Sequence, residues 1–220
     1  MSSAYTLLMR LQGPMQSWGY RSRFDYRNTA LEPTRSGVIG LLCAAMGISR
    51  GEDVRRFDSL RMGVRVDKEG RPECDYHTAL EVITADGIGK GTVISRRDYL
   101  ADAVFTVGLE TGDTDLLYTV EKALNDPVWF LFLGRKSFCL TAPPLSAAFP
   151  AISRLPLEEA LSGASFSLLC KPARGSLKCR YIIERPDGER TQHDWPLCFR
   201  ERRFKTRAIH TCFESDGVQE

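Results

Sequence analysis

The segment Pro33–Gly47, PTRSGVIGLLCAAMG, predicts a buried helix near the start of the chain. Thr34 is a favourable N-cap residue, since its hydroxyl oxygen can accept a hydrogen bond from an N–H group of the first turn. The body of the segment is apolar on nearly every face, and Gly47 is suited to end a helix. The segment therefore belongs in the core of the fold.

The start of this helix combines hydrogen-bond donors with little bulk. The first N–H groups of any helix are unpaired and carry partial positive charge. Arg35, Ser36 and Gly37 add donors at that point, and the combination favours an anion such as a phosphate. An ordinary capped core helix has the same pattern, so both interpretations stay open from this segment alone.

The elements around this helix follow a β-α-β-β-α-β order. Apolar and polar residues alternate in three of the predicted strands, and the fourth is a continuous apolar run. These strands are Tyr5–Leu11, Arg61–Asp67, Ala101–Glu110 and Val128–Gly134. A second amphipathic helix, capped by Thr114, precedes the last of them. This order predicts an α+β fold with a ferredoxin-like, or RRM-type, palm.

A long insert, residues 68–99, lies where a plain palm has a short hairpin loop. Two β-prone runs, Tyr76–Thr84 and Thr92–Tyr99, flank a glycine-rich tip at Asp86–Gly91. We expect a β-hairpin that stands off the sheet and needs a partner, because an isolated hairpin is marginally stable in water. Residues 1–145 are then the palm with this insert, and residues 146–220 form a small β-rich C-terminal extension.

Composition excludes several classes of protein. The chain has 220 residues, 43% hydrophobic and 26% charged, with a net charge of +2, as in ordinary soluble proteins. It has no apolar run long enough to span a bilayer and no signal-peptide pattern, so we expect a cytoplasmic protein without a membrane partner. Seven scattered cysteines argue against a disulfide framework or a zinc site, and we expect no metal or other cofactor.

Basic residues are clustered although the net charge is small. The clusters are RSRFDYR (21–27), SRRDY (95–99), GRKS (134–137) and RERRFKTR (200–207). Clusters that the fold brings together would form a footprint for a nucleic-acid backbone.

One group of residues resembles the equipment for acid–base cleavage of RNA. Tyr76 and His77 lie in the insert with Lys90 and Arg96. Adjacent residues of a strand point to opposite faces, so Tyr76 and His77 share a site only if the strand is bulged. We therefore expect no catalytic residues and keep cleavage as the alternative.

Several segments, in the same order along the chain, resemble the Cas-five family of RAMP proteins in its type I-E CRISPR branch. They are GPMQSWG (13–19), PTRSGVIGLLCAAMG (33–47), DYHT (75–78), RRDYLADAVFTV (96–107) and LGRKSFCLTAPPL (133–145). The resemblance covers residues 4–145 and implies an RRM-like palm with a β-hairpin thumb. It also implies a non-catalytic RNA-binding subunit of a Cascade surveillance complex. Such a subunit holds the 5′ handle of the CRISPR RNA (crRNA) and caps one end of the backbone of the complex.

The resemblance also implies partners and contact residues. The partners are the crRNA, a Cas-seven-type backbone subunit and the large Cascade subunit, with target DNA contacted indirectly. Arg97 matches a thumb-base arginine expected to contact RNA, and Trp18 either stacks on a base or belongs to the core. The other candidate RNA contacts are Gln16, Arg35, Ser36, Gly37, His77, Arg96, Arg135, Lys136 and Ser137.

Two alternative functions remain from the sequence. The related type I-C branch cleaves repeat RNA with a Tyr/Lys/His set, so a metal-independent endoribonuclease using Tyr76, His77 and Lys90 is one. A purely structural adaptor of the complex is the other.

Overall fold

The protein is a mixed α+β structure, and the strands in its described residues are mostly antiparallel and form two sheets. The computed structural model describes residues 4–20, 25–85, 87–145, 150–163 and 178–215. The strands are β1 (Tyr5–Gln12), β2 (Met15–Gln16), β3 (Tyr26–Arg27), β4 (Arg61–Lys68), β5 (Arg71–Ile83), β6 (Lys90–Ala101), β7 (Val104–Thr111), β8 (Ile152–Ser153), β9 (Lys178–Glu184), β10 (Arg190–Cys198) and β11 (Arg203–Ser215). The helices are α1 (Arg35–Met46), α2 (Thr114–Asn125) and α3 (Leu157–Gly163), with a short 3₁₀ turn at Arg55–Phe57.

The larger sheet has seven strands in the order β10-β11-β9-β4-β7-β1-β8. Its central strands, β1, β4 and β7, are those that alternation predicts, and their alternate apolar side chains are buried. The main apolar core joins these side chains to those of α1 and α2. On α3, Leu157 and Leu161 pack so closely on Gly63 and Gly108 that a Cβ at either glycine would lie within 2.7 Å of them.

The predicted caps are correct for α1 and shifted for α2. The Thr34 side chain accepts a hydrogen bond from the N–H of Gly37, and Gly47 ends the helix with a φ of 70°. Helix α2 begins at Thr114, but Asp113 is its N-cap and accepts from the N–H of Leu116. Aspartate is at least as good a cap as threonine, so Thr114 enters the first turn instead.

The prediction of a fourth strand at Val128–Gly134 is wrong. The N–H groups of Val128 and Trp129 donate to the carbonyls of Ala45 and Ala44 in the last turn of α1, and Phe130 is 95% exposed. The place beside β1 is taken by β8, which pairs antiparallel with Thr6 and Leu7. A short apolar run carries no periodicity, so the sequence could not distinguish a strand from a segment that caps a helix end.

The inserted hairpin is present, and its strands are longer than predicted. Strands β5 and β6 pair antiparallel from Arg71 and Ala101 to Ile83 and Lys90, and most side chains of β5 are exposed. The hairpin is not isolated, because β2 pairs antiparallel and β3 parallel with the base of β6. Asp86, in the predicted tip, lies outside the described residues.

The last part of the chain joins the same large sheet. Strand β9 pairs with β4, β11 pairs with β9, and β10 pairs with β11, all antiparallel. Within the described ranges, no helix has both the length and the hydropathy that a membrane span requires.

Candidate nucleic-acid interface

The GPMQSWG segment packs against the start of α1. The Trp18 ring occupies the space beside Gly37, where an added Cβ would lie 2.7 Å from the ring carbon Cε3. Trp18 Nε1 donates to Gln16 Oε1 at 3.2 Å, and Gln16 Nε2 donates to the carbonyl of Ala103 at 2.8 Å. Trp18 and Gln16 are both buried. This corrects the predicted RNA contacts at Gln16 and Trp18, because both side chains belong to the core.

The GPMQSWG segment is hydrogen-bonded to, and packs closely against, the loop that carries GRKS. The N–H of Ser17 donates to the carbonyl of Leu133 at 3.0 Å. Gly134 has a φ of 92°, and a Cβ there would lie 1.8 Å from the carbonyl oxygen of Ser17. Only glycine fits this approach, which holds the following residues, Arg135 to Ser137, beside the hairpin base.

Arg35 is buried in a network of protein groups. Its Nη1 donates to the carbonyl of Leu60 at 2.7 Å and to Glu184 Oε2 at 2.9 Å, while Nη2 donates to the carbonyl of Phe57 at 2.9 Å. The guanidinium also stacks on the Trp195 ring, 3.7 Å from its centroid. Burial lowers the pKa of Arg35, and the carboxylate of Glu184 opposes that shift. The prediction of an RNA contact at Arg35 is therefore wrong.

The start of α1 does bind an anion, and the chain itself supplies it. The backbone N–H of Arg35 donates to Asp194 Oδ2 at 2.7 Å. Arg207 pairs with both carboxylate oxygens of Asp194, at 2.7 and 3.0 Å, inside the protein. A carboxylate is stabilised at this position by the helix N-terminus in the way a phosphate would be. The predicted phosphate site at the start of α1 is thus corrected: it binds the carboxylate of Asp194. Ser36 and Gly37, both half-buried, were predicted to contact RNA only as part of that phosphate site, so this reason for their prediction is lost.

The base of the hairpin has two distinct faces. The register places His77 beside Ser95 and Asp75 beside Arg97 on one side, which we call the inner face. Ser95 is buried there, and Arg97 Nε donates to its hydroxyl at 2.9 Å. Tyr76 lies beside Arg96 on the opposite, outer face. The three candidates in the hairpin thus divide, with His77 and Arg97 on the inner face and Arg96 on the outer face.

Positive charge accumulates on the inner face. Arg27 lies directly beside Arg97 in the parallel β3–β6 pair. Arg135 reaches the same place, where its Nη2 donates to the carbonyl of Asp98 at 2.7 Å. Burial, and then the nearby charge of Arg97, lower the pKa of the Arg135 guanidinium. We call Arg27, Arg97, Arg135 and the adjacent exposed Lys136 the basic patch.

The basic patch is suited to a phosphate backbone. Neighbouring cations repel each other, and a bound phosphate relieves that repulsion while accepting their hydrogen bonds. Asp75 faces Arg97 and offsets part of the charge, and His77 Nδ1 lies 3.9 Å from Asp75 Oδ2. Ser137, exposed in the same loop, adds a hydroxyl donor. Strand β6 and the loop therefore bring Arg97, Arg135, Lys136 and Ser137 to one region, and β3 adds Arg27.

Sequence analysis missed Arg27 as a site residue. Its signal was the basic cluster RSRFDYR, which is separated from Arg97 along the chain by α1, β4 and β5. The two residues become neighbours only because a two-residue strand pairs parallel with β6, and nothing in that strand's sequence predicts this pairing.

The residues of a cleavage site do not converge. Tyr76 and His77 point to opposite faces as predicted, since the only irregularity of the described hairpin pairing lies further on, between Ala79 and Val82. Lys90 lies six residues before Arg96 on β6, about 20 Å closer to the hairpin tip, and its Nζ donates to Glu81 Oε2 at 3.1 Å. In the part of the chain that the structure describes, no three His, Cys, Asp or Glu residues are grouped to hold a metal ion.

Comparison with known proteins places this chain among the CRISPR-associated proteins. The family described as CRISPR-associated protein (Cas_Cas5) matches residues 6–211, and the chain belongs to it. The chain is 38% identical to the CRISPR system Cascade subunit CasD of Escherichia coli strain K12 over 154 residues, which are 62% of this chain and 68% of CasD.

Solved structures agree with this assignment. A structure titled as the crystal structure of a Cas protein has 41% identity and a TM-score of 0.76, covering 96% of this chain and 95% of its own. A chain of a CRISPR RNA-guided surveillance complex has 33% identity and a TM-score of 0.81, covering 96% of this chain and 90% of its own.

Proposed function

We propose that the protein is a non-catalytic RNA-binding subunit of a CRISPR surveillance complex, Cascade, in the cytoplasm. In this role it holds the 5′ handle of the crRNA and caps one end of the backbone of the complex. The observation that carries the proposal is the juxtaposition of Arg27, Arg97 and Arg135 at the hairpin base. The similarity to CasD and to a chain of an RNA-guided complex supports it.

The proposal includes an architecture. The strands β8-β1-β7-β4 have the order of a ferredoxin-like sheet, with β8 in place of the predicted fourth strand. Residues 1–145 are then the palm, with residues 68–99 as its thumb, and residues 146–220 are an extension whose first strand, β8, supplies the fourth strand of the palm sheet. In this arrangement the thumb base faces RNA and the thumb tip faces protein.

Exposed apolar side chains support contacts with other subunits. Along the thumb they are Leu80, Val82, Ile83, Ile88, Val93 and Ile94, and Phe130 forms a second exposed group with its neighbours Val128 and Trp129. Contiguous apolar surface of this kind marks protein interfaces. We assign these surfaces to a Cas-seven-type backbone subunit and the large subunit, through which target DNA is contacted indirectly.

Replacing Arg97 with alanine should weaken binding of single-stranded repeat RNA by roughly tenfold, because a charge-assisted hydrogen bond contributes about 1.5 kcal/mol or more. The slope of log K against log salt should also flatten by about 0.7 for the lost phosphate contact. The measurement is a fluorescence-anisotropy titration at several salt concentrations. The control is Arg185→Ala, an exposed arginine paired with Asp187 away from the hairpin. Equal affinities of the two variants would favour a purely structural adaptor.

The protein should not cleave repeat RNA. Incubation with labelled repeat RNA in the presence of a chelator is expected to leave the RNA intact, because Tyr76, His77 and Lys90 lie apart. Gel electrophoresis of the products tests this, with His77→Ala run beside the wild type. A discrete product that disappears in the variant would establish the endoribonuclease alternative.

A further inference from the structure

The outer face of the hairpin base carries a row of three side chains across three strands. Arg96 of β6 is flanked by Tyr76 of β5 in antiparallel register and by Tyr26 of β3 in parallel register. Residues directly paired in register share a face of the sheet. Tyr76 is 62% exposed, Tyr26 is 48% exposed, and Arg96 is exposed between them. The row is therefore a continuous aromatic–cation–aromatic surface open to solvent.

Two hydrogen bonds anchor the row to β6. The Tyr26 hydroxyl donates to Asp98 Oδ2, and the backbone N–H of Arg96 donates to the carbonyl of Asp25. This second bond ties the edge strand β3 to β6 at the position of the row. A side chain fixed in this way loses little conformational freedom when a ligand stacks on it.

The spacing of the row fits a planar base. Adjacent strands lie about 4.8 Å apart, so the backbones of Tyr26 and Tyr76 are separated by roughly 10 Å with Arg96 between them. A row of this width has room for one planar base, about 3.5 Å thick, to stack on an exposed tyrosine ring beside the Arg96 guanidinium. Aromatic rings interleaved with cations are the usual surface for unpaired bases.

We propose that Tyr26, Arg96 and Tyr76 form a stacking platform for one unpaired base of the RNA whose phosphates contact the basic patch. This inference rests on the proposed function. Its geometry follows from β3, which pairs with β6 alone among the described strands and so forms an edge of the small sheet. On β3, Arg27 points to the inner face and Tyr26 to the outer face. A single RNA strand passing this edge places its phosphates on one side and a base on the other.

The platform takes the stacking role that was one of the two possibilities for Trp18 in the sequence. That residue is in the core, whereas the row supplies exposed rings at the hairpin base. The platform also gives Arg96 a function separate from that of Arg97, although the two are adjacent. Arg97 contributes mainly charge, and the row contributes mainly stacking.

The test uses the full-length protein and single-stranded repeat RNA with 2-aminopurine placed at one position at a time. Fluorescence of this base is quenched on stacking, so one position should be quenched on binding by the wild type. Tyr76→Ala should abolish that quenching and lower affinity roughly 5- to 100-fold without changing the salt slope. Tyr76→Phe should restore both. Tyr118→Ala, an equally exposed tyrosine on α2, is the matched control and should change neither.

Several outcomes would overturn the platform. If Tyr76→Ala keeps the quenching and the affinity while Arg97→Ala still weakens binding, the platform is wrong and the proposed function stands. If the wild type itself fails to bind RNA, both are wrong. If Tyr76→Ala binds RNA normally but no longer assembles with its neighbouring subunits, the row is a protein contact.

Discussion

Replacing Arg35 with alanine is expected to lower the free energy of unfolding by about 3–5 kcal/mol, the range for removing one partner from a buried ion pair. The substitution leaves the carboxylate of Glu184 without one of its two arginines and removes the donors from the carbonyls of Leu60 and Phe57. It also empties the space over the Trp195 ring. The hydrogen bonds to the carbonyls of Leu60 and Phe57 are buried, so these two acceptors recover little of the lost interaction from solvent.

Urea denaturation of the full chain measures this effect. The matched control is Arg55→Ala, an arginine whose side chain is 77% exposed and paired with Asp53. A surface pair of this kind contributes little to stability, so the denaturation midpoint of this variant should barely move. At temperatures where Arg35→Ala stays folded, its affinity for repeat RNA should equal that of the wild type. A variant of normal stability that has lost RNA binding would show that the start of α1 is an RNA site after all.

Replacing Gly134 with alanine is expected to be the other strongly destabilising change. The positive φ of 92° costs an alanine about 1–2 kcal/mol. The new Cβ would in addition lie 1.8 Å from the carbonyl oxygen of Ser17, so one of the two segments must move. Such overpacking costs roughly a further 1–3 kcal/mol. Because Arg135 and Lys136 follow directly, the movement should also weaken RNA binding.

Gly87→Ala separates the two causes. Gly87 has a similar positive φ of 74°, and an added Cβ there meets nothing within 4 Å. It should therefore show the backbone strain alone, and the difference between the two variants measures the contact with Ser17. Thermal unfolding followed by circular dichroism, together with RNA titration, provides both readouts. Equal losses of stability would mean that the loop accommodates the methyl group and that the approach to Ser17 does not fix Arg135.

The start of α1 shows what the local sequence can predict and what it cannot. Thr34, the glycines and the apolar body predict the helix and both its ends, and the unpaired donors predict an anion. The anion is Asp194, which lies 159 residues further along the chain. The same donors stabilise an internal carboxylate and an RNA phosphate equally well, so no local pattern distinguishes the two.

The hairpin shows a similar division. The two-residue period of a strand was enough to place Tyr76 and His77 on opposite faces, and the register agrees. The neighbours of Arg96 and Arg97 on the other side, Tyr26 and Arg27, come from a strand of two residues. A strand this short has no periodicity, and its pairing is decided by the chain around it.

The sequence by itself determined the central strands β1, β4 and β7, the helices α1 and α2, and the inserted hairpin. These depend on periodicity and capping, which are interactions among residues a few positions apart. Only the tertiary structure decided that β8, and not Val128–Gly134, pairs with β1. It also decided that Arg35 is buried in an ion pair with Glu184, and that Arg27 lies beside Arg97 in the basic patch. Each of these depends on which distant group fills a space or satisfies a buried charge, and that is known only once the chain has folded.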